Sequence, residues 1–522
     1  MRNFCRWYKF TPVWLSFVAV ILAGSAIDSH AETMQFLGPQ EPPFVPEQTI
    51  AIVNGDLIDA TGAPPKLGYT VIIEGERITA VGSHDEVKIP DGAQVIDAEG
   101  MTIMPGIINS NQHVQLHPLY RAPAADLPLD LLIARWDENF SRMPDKAYHY
   151  LMQGITSMRQ TSGPSSKLLP LKQRIDSGEL AGSRLFLGGA LFMSQQHFES
   201  YIRENDTPQE SIEWLRNEFA YNVIADVEKD TDAFLGPRYN YWKLYMSDEE
   251  YDGENDFSDS DLRYMIDKAH KHGKRIDVHT GGNNAGLARM TAFDIDTLEH
   301  PFYGSFEVAD ETIDAYVNNG VIIASLLRVF VSVAERSQDP HRFNESLYIM
   351  SMEPKDYRLL LRYRDKILAN RKNPSKPGLA LYENYATTLE SEGAANAVSD
   401  FSDLSYNQVQ ERREVSIRNM RKFIKAGARF SLGTDTPTFL NFLQEDPNAL
   451  EYANMIEYGM TPMEAIIAAT RNGAEMLGME HELGTIEEGK LADVIVVAGN
   501  PLADIEALKR VYAVIKAGVR YK

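Results

Sequence analysis

The chain has 522 residues, of which 44 % are hydrophobic and 24 % are charged, and its formal net charge is −23. These proportions are typical of globular proteins and exclude a disordered chain. The acidic balance disfavours nucleic acid and anionic membranes as partners, because their like charges repel the protein.

The first residues have the pattern of an export signal. Basic residues precede an apolar run over residues 13–23, and small residues follow at the positions where a signal peptidase cuts. The run is shorter than the roughly 20 residues of a membrane span. We expect residues 1–31 to be a signal peptide and the mature protein to be periplasmic or secreted, without membrane contact after cleavage. An uncleaved membrane anchor is the alternative.

Residues 32–48 are rich in proline and polar groups and are interpreted as a linker. Short strand-like runs separated by turn residues then occupy residues 49–104, and the same pattern occurs again over residues 481–522. We interpret these two segments as one small β-sandwich, formed from both ends of the chain.

Between residues 105 and 480 short apolar runs alternate with helix-like segments, which favours parallel strands joined by crossover helices. One helix is expected to end at Gly273, a plausible C-cap. An insertion over about residues 330–415 separates the last two predicted strands. The fold class is therefore α/β, a (β/α)8 TIM-type barrel with a small sandwich domain. The eight predicted barrel strands are IMPGIINSN, ITSMRQ, RLFLGG, YWKLYM, RIDVHT, IDTLEH, VIIASL and RFSLGTD.

Residues able to bind a metal ion occur in or just after several of these strands. They are His113, Lys243, His279, His300 and Asp435. The carboxyl ends of barrel strands converge on one mouth, where catalytic groups lie. Imidazoles and a carboxylate gathered there predict a site for zinc or a similar divalent ion.

Several segments resemble, in the same order, the motifs of the amidohydrolase superfamily, and most closely its imidazolonepropionase-like and prolidase-like branch. The resemblance covers nearly the whole mature chain except the insertion, and it implies a barrel with a small β-sandwich. The segments that carry it are IMPGIINSNQH, LMQGITSMRQTSG, LKQRIDSGELAGSRLFLGG, KAHKHGKRIDVHT, IDTLEH, FSLGTD, GMTPMEAIIAATRNGAEMLG and GTIEEGKLADVIVV.

The resemblance also implies roles for individual residues. His279 and His300 match metal ligands, and Asp435 matches an aspartate that binds metal and shuttles a proton. Lys243 matches a lysine that many relatives carbamylate to bridge two metals; an ordinary amine paired with Asp435 or another acid is the alternative.

This sequence departs from the family pattern at two positions. The paired histidines of the first strand fall on Asn111 and His113, so the first imidazole is replaced by an amide, a weaker ligand for zinc. Gln160, where relatives usually have aspartate, is a smaller departure. Because of the amide at position 111, we expect one firmly held metal and a second that is weak or absent.

The expected activity is hydrolysis of a C–N bond in a cyclic amide, an N-acyl compound or a small peptide by a metal-activated water. Asp435 would move the proton, and Tyr245, two residues after Lys243 on the same strand face, would assist as a donor. His117 and His197 follow predicted strands near the mouth, where they contact substrate or simply pack.

Two other functions stay open. The loss of an imidazole at position 111 is compatible with a catalytically impaired binding or sensor protein on the same barrel. The same metal chemistry also serves deaminases. The sequence leaves the oligomeric state undetermined, and a homo-oligomer is compatible with it.

Overall fold

The computed structural model describes residues 49–114, 406–436 and 447–522, and most of the segment 129–327. The predicted signal peptide, the linker up to residue 48, His117 and the predicted insertion up to residue 405 lie outside the described residues. Within 129–327 the residues not described are 131–132, 134–136, 138–139, 142, 189–190, 205–206, 219–220, 247–256, 281–283 and 302–305.

Strands occupy both the outer and the central parts of the described chain. They are β1 Thr49–Leu57, β2 Lys66–Glu74, β3 Arg77–Ser83, β4 Gln94–Asp97, β5 Met101–Pro105, β6 Ile107–Gln112, β7 Ile155–Gln160, β8 Arg184–Leu187, β9 Leu191–Ser194, β10 Tyr221–Ile224, β11 Tyr241–Tyr245, β12 Arg275–His279, β13 Thr297–Glu299, β14 Ile322–Ala324, β15 Arg429–Ser431, β16 Val494–Ala498, β17 Val511–Lys516 and β18 Val519–Arg520.

Helices lie mainly between the central strands. They are α1 Met143–Met152, α2 Ser165–Asp176, α3 Gln195–Glu204, α4 Gln209–Glu218, α5 Val227–Asp230, α6 Asp259–Lys271, α7 Asn284–Met290, α8 Asp310–Asn318, α9 Tyr406–Lys425, α10 Pro447–Glu457, α11 Pro462–Ala468 and α12 Arg471–Met476, with short 3-10 helices at Thr231–Phe234 and Ile505–Lys509. No helix in these described stretches combines the length and apolar character needed to cross a bilayer.

The first sheet combines strands from the two outer parts of the chain. Its order is β18-β17-β16-β5-β1-β2-β3, and β4 pairs with β1. The junction is the antiparallel pair β5–β16, in which Met104 lies opposite Ile495. Inward-facing aliphatic side chains such as Ile52, Ile73 and Val496 form a fully buried core of their own. The two segments therefore share one sheet.

The central strands are parallel and form two sheets, β6-β7-β8 and β10-β9-β11-β12-β13-β14-β15. Hydrogen bonds also join the first of these strands to the chain around the last. Ser110 N donates to Leu432 O at 2.7 Å, and His113 N donates to Thr436 O at 2.7 Å. The carboxyl end of β6 is thus fixed beside the segment that follows β15.

Helix α6 shows how the sequence shapes these crossovers. The Ser258 hydroxyl accepts from Asp261 N at 3.1 Å and caps the first turn. Apolar residues at helical spacing, Leu262, Met265, Ile266 and Ala269, are buried on one face. Gly273 follows with a φ of +66°, so the predicted C-terminal stop at this glycine is confirmed.

Two strand predictions are wrong in detail. The run over residues 103–111 is two strands, because it divides at Gly106 between β5 and β6. A Cβ at Gly106 would overlap Thr156, so only glycine allows the close approach to β7. The predicted third strand ends at Leu187, and the four-residue strands β9 and β10 are additional, since such short segments carry little periodic signal.

Candidate metal centre

Three neighbouring parallel strands end together and bring their polar residues to one place. Tyr245 on β11 lies in register with His279 on β12, which lies in register with Glu299 on β13. His300 follows directly and has a φ of +59°, a conformation that non-glycine residues rarely adopt. Such strain persists where the surrounding structure holds a side chain in a particular direction, which is common at functional sites.

His279, Glu299 and His300 form the core of the candidate centre. Each offers a ligand atom, and these atoms all lie within 4.8 Å of one another. The two imidazole rings are 4.3 Å apart between centroids. Burial holds the pKa of His300 well below its usual value, and the charges of His279, Lys243 and His113 lower it further. The ring is therefore neutral, which is the form that binds a metal.

Lys243 reaches the same carboxylate from β11. Its Nζ donates to Glu299 and lies 3.9 Å from Asp277. Its side chain is buried. The acid that pairs with this amine is thus Glu299 and not Asp435. The carbamate that the family resemblance implies at Lys243 would require the amine to leave Glu299.

A buried arginine completes this cluster of charges. One Arg159 nitrogen, Nη2, contacts Asp277 at 2.8 Å and Glu299 at 2.7 Å, while Nε donates to Ser110 O at 2.8 Å. Burial alone would raise the pKa of Glu299, but Lys243 and Arg159 outweigh it and hold that pKa below its usual value. Burial raises the pKa of Asp277 against the attraction of Arg159. Glu299 is therefore the carboxylate of this pair that is charged at neutral pH.

Sequence reasoning did not identify Arg159, Asp277 or Glu299 as site residues. All three lie in strands that were predicted, SMRQ, RIDVHT and TLEH. The available signal was a charged residue inside an otherwise apolar strand, since an isolated charge is rarely buried without a partner. Which charges pair depends on the register between strands, which the sequence does not state.

His113 and Asp435 meet at the ends of the first and last central strands. His113 Nε2 lies 2.9 Å from Asp435 Oδ1. Asp435 has a φ of +50°, and its backbone N donates to Asn111 O at 2.9 Å. The charge of His113 also lowers the pKa of His300. Among the four predicted ligands, the structure thus pairs His113 with Asp435 and His279 with His300.

Asn111 is fully buried beside this pair. Its Oδ1 accepts from the Thr161 hydroxyl at 2.8 Å. Its Nδ2 has no hydrogen-bond partner among the described residues. An amide N–H2 is a donor and does not bind cations, so the ligand role predicted for Asn111 requires the amide to turn and present its oxygen; the Thr161 hydroxyl would then accept from Nδ2.

Aromatic and imidazole rings continue from the centre towards α3. The Tyr245 ring lies 4.9 Å from His279 and 5.1 Å from His197, measured between centroids. The donor predicted on β11 is therefore adjacent to a predicted ligand. His197 lies on α3, which follows the unpredicted strand β9, and its ring neighbours that of Tyr245.

The donor set fits a divalent cation. Imidazoles and a carboxylate are ligands that Zn²⁺ and related ions prefer, and all three side chains belong to adjacent strand ends. Residues 102–520 of the chain match the model of the amidohydrolase family. This chain belongs to the amidohydrolase family. The resemblance proposed from the motifs is confirmed, and it places this amidohydrolase among hydrolases of C–N bonds that generally use a divalent metal.

Comparison with individual proteins gives more limited matches. Ochratoxinase from Aspergillus niger is 38 % identical over 123 residues, which are 23 % of this chain and 24 % of that protein. Enamidase from Eubacterium barkeri is 22 % identical over 277 residues, 50 % of this chain and 58 % of that protein. The matched part of this amidohydrolase thus spans only a quarter of ochratoxinase and little more than half of enamidase.

Structural similarity covers more of this chain than these sequence matches do. A solved Xaa-Pro dipeptidase with bound methionine superposes with a TM-score of 0.65 at 21 % identity, covering 91 % of this amidohydrolase and 100 % of that chain. The likeness gives this chain a TIM-barrel-like α/β fold.

Proposed function

We propose that this chain is an exported, metal-dependent amidohydrolase that cleaves an amide, cyclic amide or peptide C–N bond. The observation that carries the proposal is the convergence of His279, Glu299 and His300, whose ligand atoms lie within 4.8 Å of one another at adjacent strand ends. The donor chemistry favours zinc. A divalent cation held there would polarise the scissile carbonyl and lower the pKa of a water molecule.

The residues around the cation position would transfer the proton, donate to the carbonyl oxygen and orient the ligands. Asp435, held by His113 at 2.9 Å, accepts the proton of the attacking water and returns it to the leaving nitrogen. Tyr245, whose ring lies beside His279, donates to the carbonyl oxygen as negative charge develops. Arg159 and Lys243 hold the Glu299 carboxylate in place from inside the strands.

The proposal includes the finer architecture. The hydrogen bonds between the end of β6 and the segment after β15 support closure of eight of the central strands, β6 to β8 and β11 to β15, into a barrel. The shared outer sheet supports a small sandwich domain. Export rests on the signal-like pattern of residues 1–31 alone.

The direct test is to purify the protein, measure its metal content and assay a panel of C–N substrates. The panel follows the relatives and the chemistry: Xaa-Pro dipeptides, N-acyl amino acids and cyclic amides, with ammonia release measured separately for deamination. We expect bound zinc, amine release from at least one class, and loss of that activity in Asp435→Asn. No hydrolysis across the panel by zinc-loaded protein would contradict the proposal.

A second candidate, a binding or sensor protein, is favoured by one observation. The Asn111 amide replaces an imidazole beside His113 and Asp435 and directs an N–H2 group into a buried space. Ligand-induced stabilisation by a panel compound that is bound without being cleaved would support that function over catalysis.

A further inference from the structure

Gln160 and His113 are in contact, and the contact has a fixed direction. Gln160 Oε1 accepts from Val114 N at 2.8 Å, while Gln160 Nε2 donates to Ser162 O. Because a backbone N–H only donates, the atom facing Val114 must be the amide oxygen. The amide N–H2 group is therefore the part of Gln160 that faces His113, with 3.4 Å between Nε2 and the ring nitrogen Nδ1.

This orientation favours one tautomer of His113. Nδ1 faces the Gln160 amide donor and also lies 3.2 Å from the Ser162 hydroxyl, which can donate to it. An imidazole nitrogen that faces an amide donor is placed to accept, which favours the neutral ring with its proton on Nε2. Nε2 then donates to Asp435 Oδ1 at 2.9 Å. A protonated Nε2 has no lone pair to give to a cation.

The aspartate that relatives usually carry at the Gln160 position would favour the other tautomer of this histidine, with the proton on Nδ1. A carboxylate accepts from Nδ1–H, and that hydrogen bond leaves Nε2 as the ligand atom. The two departures from the family pattern therefore act on the same place. Asn111 replaces an imidazole ligand by an amide, which binds zinc weakly, and Gln160 favours His113 as a donor.

We infer that Asn111 and Gln160 together convert the family's first metal position into a hydrogen-bonded His113–Asp435 pair. The chain then binds a single cation, at His279, Glu299 and His300, and His113 is a positioning residue for Asp435. This inference rests on the proposed metal-dependent function and specifies how its site departs from the family arrangement.

The first experiment measures bound zinc after dialysis against excess metal, in the full-length protein and in histidine variants. We expect one equivalent in the wild type, one in His113→Gln, and a loss of metal in His279→Gln. His270→Gln is the matched control, because this half-buried histidine pairs with Asp296 away from the centre. His113→Asn serves as a second variant if His113→Gln does not fold.

The second experiment restores the family residues. Asn111→His supplies the missing imidazole, and Gln160→Asp supplies an acceptor for Nδ1–H of His113. Each single variant is expected to stay near one equivalent of zinc, whereas the double variant should bind a second equivalent. This coupling distinguishes the inference from a simple loss of one ligand, which Asn111→His alone would repair.

The positioning role predicts a separate kinetic signature. His113→Gln should lower kcat about 10- to 100-fold, as expected for a residue that orients a catalytic group, with KM and zinc content unchanged. A purely structural role would instead lower the unfolding temperature and leave kcat of the folded fraction intact.

Three results would overturn the inference: two zinc equivalents in the wild type, loss of zinc from folded His113→Gln, or a double variant that binds no more zinc than the wild type. Failure of the proposed function is recognised differently. A wild-type protein that binds no zinc at all, with His279→Gln unchanged, would remove the metal-dependent function and this inference with it.

Discussion

Arg159 and Glu299 form an ion pair, with 2.7 Å between Nη2 and Oε1, and both side chains are shielded from solvent. The same guanidinium contacts Asp277 at 2.8 Å. Burying charges is costly, so the arginine compensates two anions that the candidate centre holds inside the strands. The centre therefore depends on an arginine that is fully buried inside the strands.

Replacing Arg159 by leucine should destabilise the protein by about 3–5 kcal/mol, because Asp277 and Glu299 would lose their shared cation. Urea unfolding measures this change. The matched control is Arg174→Ala, which removes an exposed pair with Glu179 and should cost at most about 1 kcal/mol. Equal effects of the two substitutions would show that the buried cluster does not need Arg159.

Asp435→Asn should lower kcat by about 10²- to 10⁴-fold while zinc content stays unchanged, because the amide cannot accept the proton. Asparagine tolerates the positive φ of +50° at this position as well as aspartate does, so backbone strain does not explain a loss. Steady-state kinetics and metal analysis test the two statements together. Retained activity in Asp435→Asn would exclude this residue as the base.

Removing the metal with a chelator should abolish hydrolysis and lower the unfolding temperature, because a ligand that binds only the folded state stabilises it. Adding zinc back should restore both. In His300→Ala, chelation should change neither quantity, since that variant has already lost a ligand. Full activity of chelated wild-type protein, verified metal-free, would contradict metal dependence.

Gly106→Ala should destabilise the protein by about 1–3 kcal/mol, because the added methyl group would overlap Thr156 at the junction of β5 and β6. Gly236→Ala is the control, since a Cβ there meets nothing within 4 Å. Its effect should lie within about 1 kcal/mol of zero and favour stability. Thermal unfolding of the pair decides whether the strand division depends on this glycine.

Lys516 predicts a stability change at alkaline pH. Burial lowers its pKa to about 8, and Arg184 adds to this against the attraction of Asp493. Between pH 8 and 10.5 the unfolded state binds more protons than the folded state, so this residue makes stability rise with pH, by about 3 kcal/mol in total. Lys516→Met should lack this rise in urea unfolding measured across the window.

The control for the Lys516→Met measurement is Lys509→Met, which removes an exposed lysine that pairs with Glu506. Its unfolding curve should keep the wild-type dependence on pH. Parallel curves for Lys516→Met and the wild type would show that Lys516 keeps its charge in the folded protein.

Most of the parallel strands could be predicted from the sequence because they are short apolar runs, and several of them end near a predicted metal ligand. The structure places His113 beside Asp435 and His279 beside His300, as the strand-end pattern suggested. The pairing of Lys243 with Glu299 could not be predicted from the sequence, because it depends on the register of β11, β12 and β13.

Gln160 illustrates a second limit. In the sequence, glutamine in place of aspartate is a mild change, and its effect on His113 depends on which way the side-chain amide points. Val114 N fixes the orientation of this amide by donating to its oxygen. A hydrogen bond between neighbouring strand ends thereby favours one proton position on His113, a detail that no periodicity or composition encodes.

The pairing of β5 with β16 has a consequence for how the protein is made. Strand β5 ends at Pro105 and β16 begins at Val494, so the ribosome must synthesise the whole intervening chain before these two strands can pair. During that time the apolar edge of β5 has no native neighbour, which is a hazard for aggregation in newly made chains. Completion of the outer sheet is thus a late event in biosynthesis, after the central strands have emerged.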